Sequence, residues 1–63
     1  MTPFSTRLRS RRLRLHLTQR DVGQVTGYHA NTVARWERGE MVPCEPVQRV
    51  VMRRLRKILA KAT

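Results

Sequence analysis

The side chains best equipped for chemistry in this chain are its arginines. Fourteen Lys and Arg stand against four Asp and Glu, a formal net charge of +10, and most of the basic residues are Arg. The guanidinium forms forked hydrogen bonds to phosphate, so the chemistry on offer is the binding of a polyanion. Charge alone admits DNA, RNA or an anionic membrane surface, and patterning has to choose among them. Catalysis has no comparable provision: the sequence holds no paired carboxylates, nucleophile–base set, phosphate-cradling glycine loop or Cys/His cluster at metal-ligand spacing. No enzyme, cofactor or metal is expected. His16 and His29 are isolated, and Cys44 reads as a small apolar residue that can form no disulfide within the chain, which fits a reducing cytosol.

The 63 residues give room for one domain, 1–63, and a small core; a domain of this length buries roughly 60% of its unfolded surface, so its stability is marginal. Apolar residues at 40% are enough for a folded helical domain and too many for a disordered basic tail. Near the start, Arg7, Arg9, Arg11, Arg12 and Arg14 interrupt every apolar run, leaving no region for a secretory signal or membrane span. The acid-free stretch to Arg20 has the composition of a transit peptide, yet its removal would delete the first helix. The expected location is the cytoplasm, with nucleoid association through DNA.

The pattern is all-α. Phe4, Leu8 and Leu15 form the stripe of a first helix, with Ser5 or Thr6 as its cap and its end near Leu15. Arg11 and Arg12 fall on or beside that stripe, where a charge needs a partner. Thr18-Gln19-Arg20-Asp21 resembles a capping box and opens a second helix that runs to about Thr26. Gly27 stops it, Tyr28 and His29 form a tight connection, and a third helix from about Ala30 to Arg38 is closed by Gly39. After the loop Glu40 to Cys44, Glu45-Pro46 opens the last helix, about 45–62. Val47, Val50, Val51, Leu55, Ile58 and Ala62 share one face of it, and Met52 and Leu59 widen the apolar arc beyond a single seam.

The segment 18–38 has the helix-turn-helix pattern. Val22, Tyr28, Val33 and Trp36 take core positions, Gly23 lets the third helix approach the second, and Gly27 can take the left-handed turn conformation. Through Leu17-Thr18-Gln19 and Thr32-Val33-Ala34-Arg35-Trp36-Glu37-Arg38-Gly39, and over Leu8 to Pro43, the sequence resembles the phage repressor and Cro-like helix-turn-helix family, also called XRE-like. The resemblance implies a lambda-repressor-like domain of about four helices. It also implies phosphate contacts from Thr18, Gln19, His29 and Arg38, with His29 a turn or cap residue rather than a base reader. Base-facing and groove-edge positions fall on Ala30, Asn31, Thr32 and Arg35. In those positions Asn31 can pair with adenine and Arg35 with guanine through two hydrogen bonds each, and Ala30 can touch a thymine methyl. The plainer alternatives are a solvated face for Asn31 and Arg35 and capping alone for Thr18 and Gln19. The resemblance further pairs Arg12 with Glu37 in a salt bridge between the first and third helices. Three departures stand out: His16 replaces the usual glycine of the first turn, Thr26 an apolar residue, and Glu40-Met41-Val42 a more basic loop.

Members of that family commonly have a fifth helix, and its lack here suggests a homodimer through the last helix, with Val51, Met52, Leu55 and Leu59 as contacts. Two-fold symmetry would set the recognition helices about 34 Å apart on an inverted repeat. Arg49, Arg53, Arg56 and Lys57 would keep the dimer soluble and steer DNA. The function expected is a transcriptional repressor that blocks a promoter. The alternative is an antitoxin or phage accessory protein whose main partner is a protein and whose DNA binding is autoregulatory; RNA binding is a third, less suited to a groove-shaped helix.

Overall fold

The computed structural model describes the backbone of residues 2–62 and the side chains of residues 2–58. Four helices follow one another: α1 (Phe4–Arg14), α2 (Gln19–Thr26), α3 (Ala30–Arg38) and α4 (Glu45–Ala62). No strand occurs among the described residues. This is the small all-α fold expected, and α1 and α2 each pack against both α3 and α4.

Local chemistry accounts for the ends of α2 and α3. The Thr18 hydroxyl oxygen accepts from the Asp21 amide at 3.0 Å, and the Asp21 carboxylate accepts from the Thr18 amide at 2.9 Å, so two donors that a helix start would orphan are satisfied reciprocally. Gly27 and Gly39 close α2 and α3 at φ 85° and 75°, in the left-handed region that glycine enters without a Cβ penalty. His16 also sits there, at φ 59°, at the turn where the resemblance has glycine.

The start of α1 differs from expectation. Ser5 and Thr6 lie inside the helix, and the residue that starts it is Pro3, whose carbonyl accepts from the amides of Thr6 and Arg7. The earlier start brings Phe4 into the core, where its ring meets Trp36 edge-on with centroids 6.0 Å apart. Cys44 is exposed and not part of the apolar interior; its carbonyl accepts from the Gln48 amide at the start of α4.

Phe4, Leu8, Val22, Val33, Trp36, Val51 and Leu55 form one core, with Leu15, Leu17, Val47, Met52 and Ile58 half-buried against it. This corrects two dimer contacts. Val51 and Leu55 have 0% exposure within the single chain, so they are the interior of the monomer and have no surface to offer a second copy. Met52 keeps part of its surface, and the side chain of Leu59 lies outside the described residues, as does that of Ala62 on the expected face. Tyr28 is also corrected: it is 36% exposed and only leans an edge on Trp36, centroids 4.9 Å apart. Thr26 is tolerated at its buried position because its hydroxyl donates to the Val22 carbonyl at 2.7 Å.

Candidate nucleic-acid interface

The turn between α2 and α3 sets everything that follows it. A Cβ on Gly23 would lie 2.4 Å from the Tyr28 carbonyl oxygen and 3.3 Å from the Ala30 amide nitrogen, so the chain leaving the turn passes where any other side chain would sit. The Gly23 carbonyl also accepts from the amides of Gly27 and Tyr28, at 2.8 and 3.0 Å. His29 then caps α3, its Nδ1 accepting from the Asn31 amide at 3.0 Å. Val33 and Trp36 bury the inner face of α3, which leaves Asn31, Arg35 and Arg38 exposed on the outer face, with Thr32 and Ala30 half-buried on its flanks. Among the described residues neither Asn31 nor Arg35 makes a side-chain hydrogen bond or ion pair within the chain.

Beside this face lies the start of α2. The capping box consumes the amides of Thr18 and Asp21, and that of Val22 goes to the Thr18 carbonyl, which leaves the first-turn amides of Gln19 and Arg20 to an outside acceptor. Since the Thr18 oxygen only accepts in the box, its own hydroxyl hydrogen is free to donate. The Thr18 hydrogen bonds hold the Asp21 carboxyl below its usual pKa, the backbone one foremost.

Arg12, Glu37 and Gln19 lock these parts together. Glu37 receives the Arg12 guanidinium through two parallel bonds of 2.7 and 2.9 Å, with side-chain exposures of 14% for Arg12 and 4% for Glu37. A further Arg12 bond of 3.1 Å reaches the Leu17 carbonyl in the α1–α2 loop. The arginine's awkward place on α1 is thus resolved by a forked pair and a loop anchor, and no buried side-chain nitrogen or oxygen among the described residues lacks a partner. Gln19 joins at 3.4 Å, its amide donating to Glu37 Oε1. By its sequence position Gln19 is a phosphate contact or part of the cap, and nothing in the sequence links it to a residue eighteen positions on.

Arg38 is held differently from the expectation of a free phosphate contact. It forms an ion pair with Glu40 on the exposed rim, which keeps the Glu40 carboxyl below its usual pKa. Exposed pairs of this sort exchange readily for other partners. Met41 and Val42 beyond it are exposed and uncharged, so that rim carries no basic grip.

A family model described as a helix-turn-helix domain matches residues 3–59. The chain belongs to that family. No curated protein and no solved structure gives a significant match. Membership makes the helix-turn-helix chain a DNA-binding regulator domain, and the matched span takes in all of α1 to α3 and most of α4. No described helix is long and apolar enough to cross a membrane.

Proposed function

We propose that this helix-turn-helix chain is a sequence-specific double-stranded DNA-binding regulator of the phage repressor and Cro-like kind, acting as a repressor by occupying a promoter. The observation that carries this reading is the outer face of α3: Asn31 and Arg35 are exposed and unengaged on a helix whose inner face is fixed by Val33 and Trp36. α3 enters the major groove, Asn31 and Arg35 read adenine and guanine, and Ala30 and Thr32 line the groove edge. Thr18 donates its free hydroxyl to a phosphate, with the amides of Gln19 and Arg20 alongside. Gln19 serves as a link, since it touches Glu37 on one side and the backbone of the duplex on the other. Arg38 reaches phosphate by leaving Glu40, and His29 acts chiefly as the cap of α3.

Occupancy of an inverted repeat by two copies belongs to the same reading. Its contact surface moves away from Val51 and Leu55 to Val50, which is 37% exposed, and its half-buried neighbour Val25.

Binding-site selection from random duplexes tests the reading, repeated with Arg35→Ala and Gln19→Ala. Arg35→Ala relaxes the preference at one base pair, worth about 1–3 kcal/mol, and Gln19→Ala weakens all sites alike. Binding that depends on salt alone, with no preferred sequence, overturns it.

A further inference from the structure

A second basic surface lies between α1 and α4, in hollows that no residue of α3 lines. On α1, Arg12 turns toward Glu37 of α3, whereas Arg7, Arg11 and Arg14 turn toward α4. There they meet Arg49, Arg53 and Arg56. Two adjoining hollows share Arg7, Met52 and Arg56, which makes them one continuous groove between α1 and α4. Six guanidiniums line it. Its one acid is Glu45, at one end, whose carboxylate stands 3.9 Å from Arg49 with both side chains mostly exposed. Packing six like charges along one groove opposes folding unless a polyanion or its counterions compensate.

We propose that this α1–α4 groove binds the phosphate backbone of a second DNA duplex, so that one chain holds two duplex segments, one on α3 and one in the groove. The occupant follows from what lines the groove. Its one large apolar side chain is the half-buried Met52, which gives a partner helix none of the repeated apolar anchors that helix-in-groove recognition uses. It has no aromatic side chain on which unpaired bases could stack, so it suits a double-stranded backbone better than a single strand. Arg7 to Arg14, like Arg49 to Arg56, spans about 10 Å of helix. Over that length a duplex carries about six charges counting both strands, the same order as the arginines that face it.

The inference takes from the proposed function only that the first duplex sits on α3. The test is capture of a labelled random-sequence duplex by protein already bound to a surface-tethered duplex carrying its selected site. It compares the wild type, an Arg7→Gln/Arg14→Gln variant, and a charge-matched Arg9→Gln/Arg54→Gln control. All these side chains are exposed, and thermal melting verifies that the variants fold. Expected is a loss of capture of about tenfold or more for the groove variant, with its affinity for the first duplex within about threefold of wild type and the control unchanged. Four results overturn the proposal: no capture by the wild type, equal capture by the groove variant as two copies bridging through α3 would give, equal loss in the control, or displacement of the second duplex by polyglutamate more readily than by free duplex. A separate Asn31→Ala/Arg35→Ala variant that still binds its selected site refutes the role of α3 and leaves the groove result standing.

Discussion

The α2–α3 unit and the α1–α4 pair are built by different rules. In α2–α3 the ends of both helices are set by neighbours in sequence: Thr18 with Asp21, Gly27, His29 with the Asn31 amide, and Gly39. The α1–α4 pair has little of this. Pro3 starts α1 without a side-chain cap, and α4 is held by Val51 and Leu55 reaching a core formed with Leu8, more than forty positions earlier in the chain. One half is shaped by local chemistry and the other by burial. The positions of the arginines follow that division, because Arg35 stands alone on the fixed α3 helix, whereas Arg7, Arg11 and Arg14 of α1 share a groove with Arg49, Arg53 and Arg56 of α4.

Two substitutions should have the largest effects, one in each half. Leu55→Ala leaves a cavity at a site with no exposure, and a loss of about 3 kcal/mol is expected by denaturant unfolding. If Leu55 instead served a dimer, the loss would depend on protein concentration; here the difference between wild type and Leu55→Ala should not change with dilution. Glu37→Ala should cost a similar amount, about 3 kcal/mol, since it strands the Arg12 guanidinium, and the same change in an Arg12→Leu background should cost far less. Equal costs in the two backgrounds would show that Glu37 acts by packing alone.

Gly23→Ala comes next and separates the rules most cleanly. The added methyl meets the Tyr28 carbonyl at 2.4 Å, a backbone atom that cannot swing away as a flexible side chain would. The turn must shift, for a loss of about 2 kcal/mol, although alanine is the better helix former. Because α3 leaves that turn, DNA affinity should fall by more than the stability loss predicts, measured on the fraction that remains folded. A gain in stability would mean that the close approach is not essential.

These contrasts also explain what the sequence discloses. The bounds of α2 and α3 were legible because Thr18, Asp21, Gly27 and Gly39 each act within a few residues of themselves. The Arg12–Glu37 pair was accessible only through resemblance, since nothing near either residue names the other. The inner side of α4 was not legible: Val50 and Val51 are equally apolar neighbours, and only the positions of α1 and α2 decide that Val51 is buried and Val50 is on the rim. Tyr28 misled for a related reason, as an aromatic ring can lean on Trp36 and still meet solvent. The groove of six arginines was invisible as a unit because its two rows are some forty residues apart in the chain.

The smallest effect concerns the capping box and is read by pH. Thr18 hydrogen bonds hold the Asp21 carboxyl below its ordinary value of 3.8, and the carboxylate is the form they favour. A carboxyl whose pKa is lower folded than unfolded contributes stability that is present above the unfolded value and is lost as pH falls through the folded one. Stability should therefore drop below about pH 4 by an amount that Asp21→Asn removes, because asparagine cannot titrate. Thr18→Ala, which deletes the hydroxyl acceptor, should cost about 1 kcal/mol at neutral pH and reduce the acid-dependent part as well. No cap of this kind exists at Pro3, so substitutions at Ser5 should leave the acid limb unchanged. The share of the acid limb that Glu40 adds through Arg38 should remain in Asp21→Asn, whereas a limb that Asp21→Asn does not reduce at all would weaken the case that α2 is set by its own first turn.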